Sequence, residues 1–162
     1  MSGKAIIQHT LGTSDHVIQT YLNDLTDAEL LVRPVDGMNN IAWQLGHLIS
    51  SERHMVEMVK PGSSPALPAD FEAGHGRDCF KEDDPSKFYS LAKYKELWSV
   101  QRAATLAVLD SLSEADLDRT DENFPPYAST VGALLSMVGG HPLMHAGQFV
   151  AVRRKLGKPV TI

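Results

Sequence analysis

Two histidines near the end of the chain have a spacing that is typical of metal ligands. His141 and His145 share one face of a predicted helix, because residues four positions apart on an α-helix are neighbours. Burying two imidazoles is unfavourable unless a partner satisfies them, and two nitrogens this close can share one ion. We therefore predict a metal site here, ahead of two buried histidines held by hydrogen bonds. The apolar residues that make this face a buried one are Val131, Leu134, Val138, Phe149, Val152 and Leu156.

A third candidate ligand, His47, lies on a second predicted helix. It falls beside the apolar stripe of that helix, so a half-exposed histidine with a surface hydrogen bond is the alternative. His54 shares the same flank and is a competing ligand. Glu52 falls in the middle of the stripe, where a carboxylate needs a metal, an arginine or a hydrogen-bonded histidine. We interpret Glu52 as a structural partner or a support for the ligands, slightly ahead of a direct ligand.

Three neutral imidazoles leave a coordination position open for water or substrate, which suits catalysis. Such an ion could lower the pKa of a bound water toward about 7, or bind and ionise a thiol. Imidazole ligands suit several divalent metals; we favour zinc, with nickel or iron as alternatives. Gln101, Thr105 and Gln148 could line the pocket, with core hydrogen bonding as an equal alternative. The sequence identifies no catalytic side chain.

Composition narrows the class of protein. With 162 residues, we expect one domain over residues 1–162. The net charge of -5 argues against nucleic-acid binding, and the longest apolar stretch is too short to span a membrane. One cysteine, Cys79, excludes an internal disulfide, and with a polar N-terminus this predicts a cytoplasmic protein. Cys79 and His75 as nucleophile and base are a weaker alternative.

Apolar residues recur with helical spacing in four long segments, and no segment alternates with a period of two. This pattern predicts an all-α protein with a four-helix bundle. The connection from Lys60 to Asp84, between the second and third helices, is long and favours a non-sequential topology. The predicted helices cover about residues 4–25, a stretch from after Asn40 to before Pro61, a stretch that opens near Pro85, and about 129–156.

Pro142 follows the first histidine of the pair within the fourth predicted helix. Proline removes a backbone donor and clashes with the carbonyl four residues earlier. Two outcomes stay open: the helix bends at this point, or a new segment starts with Pro142 in its first turn. The histidine pair survives either outcome.

Two motifs together resemble the DinB-like superfamily of metal-binding four-helix-bundle proteins. The first is Trp-x-x-x-His-Leu-x-x-x-Glu over residues 43–52, and the second is His-x-x-x-His-x-Gly-Gln over residues 141–148. The resemblance covers nearly the whole chain. It implies an up-down-down-up bundle whose metal ligands here are His47, His141 and His145, and often a homodimer.

The better-understood members of that superfamily resemble S-transferases and isomerases that use low-molecular-weight thiols, and others resemble metal-dependent hydrolases. The resemblance thus implies a metal-dependent enzyme of transferase or hydrolase type that acts on a small molecule, with a low-molecular-weight thiol as candidate substrate. The alternative is a noncatalytic metal-binding or stress-response bundle protein.

Overall fold

A computed structural model describes residues 1–160 and residue 162. This part of the chain is all-helical and contains no strand. Three short 3₁₀ helices, Arg77–Cys79, Pro85–Lys87 and Ala115–Asp118, lie in the connections. The α-helices are α1 Gly3–Leu22, α2 Asp27–Leu30, α3 Ile41–Val59, α4 Phe71–His75, α5 Leu91–Ser111 and α6 Val131–Lys155. None of these helices is long and apolar enough to cross a membrane.

Side-chain caps explain where the helices begin. Asn40 accepts a hydrogen bond of 2.8 Å from the backbone of Trp43, which confirms the predicted start of α3. Thr26 forms a capping box at the start of α2. The third long helix begins later than predicted, at Leu91, where Ser90 caps it. Pro85 opens only a short 3₁₀ helix, because the backbone is extended again at its end.

The last helix runs without interruption through Pro142. The alternative in which a new segment starts at this proline is therefore wrong. Just before it, Gly139 permits a close approach of α1, because a Cβ at this position would lie 2.9 Å from the methyl group of Thr10. A larger residue at position 139 would force the two helices apart.

The long helices pack in four pairs: α1 against α6, α6 against α3, α3 against α5, and α5 against α1. Hydrogen bonds give the relative direction of three of these pairs. Lys4, at the start of α1, donates to the carbonyl of Asp110 at the end of α5. Lys95, at the start of α5, donates to Asn23 at the end of α1, so the two helices run in opposite directions.

Other contacts fix the remaining directions. Glu52 contacts Thr105 and Lys60 contacts Ser111, so α3 and α5 run the same way. The end of α3 and the start of α6 meet at Arg119, which bonds to the backbone of Val59 and of Val131. Therefore α3 and α6 run in opposite directions.

Because α3 and α5 run the same way, the connection between them must return along the molecule. Its first part bonds to the end of α3, where Ser64 donates to Glu57. Its later part reaches the start of α3, where Trp43 donates to the carbonyl of Gly76. The connection therefore passes along α3, and this places residues 71–77 beside the first turns of that helix.

Two clusters of buried apolar side chains fill the interior. On each long helix, buried polar residues lie between the positions that belong to one cluster and those that belong to the other. The core is thus divided by a layer of polar side chains. Its buried members are Ser14, Glu52, Gln101, Arg102, Thr105 and His145.

Candidate metal centre

Three histidines from two helices meet in this polar layer. His47 comes from α3, and His141 and His145 come from α6. One ligand atom from each lies within 4.8 Å of the others, and the Nε2 atoms of His141 and His145 are 3.1 Å apart. His145 is buried, whereas the other two are half-buried. The structure therefore brings together the three histidines that the sequence analysis singled out.

A glutamine orients one of the three imidazoles. Gln44 has its amide nitrogen bonded to the carbonyl of Asn39, so its oxygen faces Nδ1 of His145 at 2.9 Å. Nδ1 must then carry the proton that it donates to this oxygen. In the neutral ring this leaves the lone pair on Nε2, the nitrogen that points to the other histidines.

The ring of His47 is held by its own helix. Trp43, one turn earlier, stacks on it with ring centroids 5.1 Å apart and an interplanar angle of 4°. This flat contact limits rotation of the imidazole and covers one of its faces. Across the helix interface, the ring approaches His141 edge-on, with centroids 5.1 Å apart.

Burial keeps the imidazoles neutral. Burial, with the neighbouring His141 and His47, lowers the pKa of His145 to about 3. Burial and the nearby His47 lower the pKa of His141 to about 4. Burial and the positive charge of Arg77 lower the pKa of His47. A metal ion requires deprotonated ligands, so at neutral pH the cluster is in the protonation state that a metal would need.

A cavity of about 640 Å³ opens beside the cluster, and His47 and His141 line it. This volume is in the range of small-molecule sites. The structure places His54 on the wall of this cavity but outside the three-histidine cluster. The other lining residues are Ser51, Met55, Arg77, Tyr127, Met137, Gly140 and Met144.

Glu52 lies in the same polar layer but belongs to a separate group. Its carboxylate pairs with Arg102 at 2.8 Å and accepts a hydrogen bond of 2.6 Å from Thr105. Burial raises the pKa of Glu52, while Arg102 and Thr105 oppose that shift. The carboxylate therefore has the arginine partner that the sequence analysis weighed against a metal.

Core hydrogen bonding also accounts for two of the other predicted pocket residues. Thr105 bonds to Glu52, and Gln101 donates to Ser64 at 3.3 Å. Neither residue lines the cavity beside the histidines. Gln148 is half-buried on α6 and is not among the residues of the cavity wall either. For Gln101 and Thr105 the contacts are those of the core alternative, and a role of the three residues at the site stays a prediction.

The pair of Cys79 and His75 is not a nucleophile with its base. His75 bonds through Nδ1 to the carbonyl of Phe71 and through Nε2 to the hydroxyl of Tyr94. The thiol of Cys79 donates to the carbonyl of Ala73. Both ring nitrogens of His75 are thus occupied by other partners.

Two contributors to the site, Gln44 and Arg77, are not predicted from the sequence. Gln44 is a fully buried polar residue on the apolar side of α3, the same signal that drew attention to Glu52, and it could have been found in that way. Arg77 reaches the cavity from the long connection. No sequence periodicity could have indicated its position, because it depends on the path of the connection.

Comparison with known proteins agrees with this architecture. No curated protein matches the chain. A crystal structure of a conserved protein from Enterococcus faecalis is similar, with a TM-score of 0.72, 19% sequence identity, and coverage of 98% of this chain and 99% of that chain. At this identity the similarity concerns the fold alone. A family model described as the DinB superfamily matches residues 11–149. This chain, with its three clustered histidines, belongs to the DinB superfamily.

Proposed function

We propose that the protein is a metal-dependent enzyme that acts on a small molecule, with His47, His141 and His145 as ligands of one divalent ion. The observation that carries this proposal is the convergence of three neutral imidazoles at the wall of a cavity of about 640 Å³. A structural metal site is closed by four protein ligands. Three ligands beside a cavity leave room for substrate.

The donor set fits an ion of this kind. Three imidazoles with one open position are a known catalytic arrangement for zinc. Two nitrogens bound to one zinc at about 2.1 Å lie at most about 4.2 Å apart, so small side-chain rotations would close the cluster around an ion. We favour zinc, with nickel or iron as alternatives.

Side chains around the cluster prepare it for this role. Gln44 directs the lone pair of His145 toward the other two ligands, as partners of metal-bound histidines generally do. Trp43 fixes the ring of His47. When bound, the ion would supply Lewis-acid activation of a water or a thiol at its open position. Met55, Met137 and Met144 give the cavity wall an apolar character.

Two reaction types are consistent with this site. The resemblance to thiol-dependent S-transferases favours activation of a low-molecular-weight thiol, and a hydrolase would instead activate water. The second candidate function is a noncatalytic metal-binding or stress-response protein. The buried apolar clusters favour the catalytic proposal over a purely structural ion, because they give the fold a core without metal.

The decisive experiment combines metal content, activity and folding in one preparation. Zinc-loaded protein should bind about one ion per chain and accelerate transfer of a thiol such as 2-mercaptoethanol to an electrophilic acceptor. Chelation should abolish the activity and leave a helical circular dichroism spectrum. The apparent stability should fall by about 3–4 kcal/mol if the ion is present at several hundred times its dissociation constant.

The controls separate the alternatives. His141→Ala should be inactive, whereas His16→Ala, which removes an exposed histidine of α1, should match wild type. No stoichiometric ion in folded wild type would contradict the metal site. Unfolding on chelation would favour the structural role, and a loaded but inactive protein with these reactants would turn the search to hydrolysis.

The arrangement of the chain forms part of this proposal. We infer an up-down-down-up four-helix bundle within a single domain over residues 1–162. The helix directions support it, since α1 and α6 are both antiparallel to their neighbours α5 and α3. The homodimer and the cytoplasmic location stay predictions. Light scattering can test the first, and cell fractionation can test the second.

A further inference from the structure

One arginine of the long connection lines the cavity beside the histidines. Arg77 lies in the 3₁₀ helix that follows α4, and it shares the cavity wall with His47 and His141. Its charge contributes to the lowered pKa of His47, so the guanidinium is within electrostatic range of the cluster. None of the ion pairs in the described part of the chain involves Arg77. A cationic group is therefore available to a ligand in the cavity.

The backbone next to Arg77 is fixed to the start of α3. His75 packs so closely on Gly46 that a Cβ there would lie 1.9 Å from the imidazole ring. The ring also shares a hydrogen bond of 2.6 Å with the hydroxyl of Tyr94. Between His75 and Arg77, the carbonyl of Gly76 accepts a hydrogen bond of 3.2 Å from Trp43.

Trp43 contacts both the long connection and a candidate metal ligand. Its indole N–H holds the connection at Gly76, and its ring stacks on His47. One side chain thus sets the position of a candidate metal ligand and of the backbone beside Arg77. The distance between the ligand cluster and the base of the arginine side chain is therefore a built feature of the fold.

The rest of the cavity wall is largely apolar. Met55, Met137 and Met144 line it, together with the aromatic residue Tyr127, which is 74% exposed. A cavity with apolar walls and one cation complements a molecule that has an apolar part and one anionic group. The planar guanidinium pairs with a carboxylate through two parallel hydrogen bonds.

We propose that Arg77 sets the substrate class by binding the carboxylate of a small organic acid whose other end reaches the histidine cluster. This inference rests on the proposed function, because the metal would hold the reacting end of the acid. It adds a specificity-determining residue from the connection, and it predicts that an uncharged molecule of the same length binds less well.

The test compares two thiols of equal length on cobalt-loaded protein, where thiolate binding changes the visible absorption of the metal. Wild type should bind 3-mercaptopropionate about tenfold more tightly than 3-mercaptopropan-1-ol, as expected for a charge-assisted pair. Arg77→Gln should lose that preference and bind the alcohol as wild type does. Arg77→Lys should keep part of it, because the charge remains while the planar fork is lost.

A matched control is Arg154→Gln, which removes an exposed arginine at the end of α6 and should keep the full preference. The inference is overturned if Arg77→Gln keeps the preference, or if it weakens both thiols equally. If Arg77→Gln does not fold, the test uses Arg77→Lys and the salt dependence of the wild-type preference. The inference is overturned if the preference for 3-mercaptopropionate is unchanged in Arg77→Lys and also unchanged in wild type at high salt.

Failure of the metal site would be recognised separately, because cobalt binding is measured before any thiol is added. If wild type binds no cobalt, 3-mercaptopropionate is titrated into metal-free protein and the methyl signals of Met137 and Met144 are followed by NMR. Shifts that saturate in wild type and vanish in Arg77→Gln would still support carboxylate binding. Equal responses in the two proteins would overturn it.

Discussion

The interior of this protein contains two polar groups that are satisfied in opposite ways. Glu52 is 4% exposed and Arg102 is 6% exposed, and they neutralise each other, with Thr105 as a further donor to the carboxylate. The three histidines carry no opposite charge among them. They have a glutamine, an indole ring and one another as close neighbours.

This difference separates a structural group from a candidate functional one. Glu52 and Arg102 already bind each other, so a ligand could bind either one only by displacing the other. The imidazoles lie beside a cavity and are held neutral by burial, and the Nε2 atoms of His141 and His145 face each other at 3.1 Å. Polar residues in a core thus indicate function when the fold leaves them capable of binding something else.

The largest expected effect is on metal binding. His145→Ala removes the most buried of the three imidazoles and should abolish stoichiometric uptake of zinc, since two histidines remain from a three-ligand site. Elemental analysis after zinc exposure and gel filtration measures this. Retention of one ion per chain in a folded variant would contradict the proposed ligand set, and His54 and then Glu52 would be the next ligands to test.

The next effect is on stability and concerns the other polar group. Arg102→Met leaves the carboxylate of Glu52 unpaired in the core and should destabilise the protein by about 3–5 kcal/mol. Denaturant unfolding of the metal-free protein measures this. Metal stoichiometry should not change, because Arg102 does not contact the histidines. A loss of metal in the folded variant would show that the two groups are coupled.

The double variant Glu52→Leu with Arg102→Met sharpens this prediction. Replacing both charges removes the unpaired carboxylate, so most of the stability should return. If the double variant is as unstable as the single one, the hydrogen bonds from Arg102 to Leu11 and Ser14 would account for the loss instead.

The smallest expected effect concerns the support of a ligand. Gln44→Leu removes the acceptor that fixes the tautomer of His145, and metal affinity should fall about 10- to 100-fold. Competition with a chromophoric chelator measures the affinity. Gln44→Glu should retain more of it, because a carboxylate also accepts from Nδ1. Equal affinities in wild type and Gln44→Leu would contradict the orienting role.

Local signals predicted much of the fold. Asn40 caps its helix as expected, because capping depends on residues three positions away. The start of α5 was misplaced, since Pro85 is equally suited to a short 3₁₀ helix. Whether α6 continues through Pro142 was open, because the proline removes one hydrogen bond and the rest of a long, packed helix can outweigh that loss.

By itself, the sequence determined the four long helices and the inward position of His141 and His145, because helical periodicity is a local property of the chain. It also left a competing assignment open for each of two polar residues, a surface position for His47 and direct metal ligation for Glu52. Only the tertiary structure decided between them, by placing Arg102 against the carboxylate and two histidines of α6 against His47. Partners distant in sequence are chosen by helix packing and by the path of the long connection, and neither has a period that can be read along the chain.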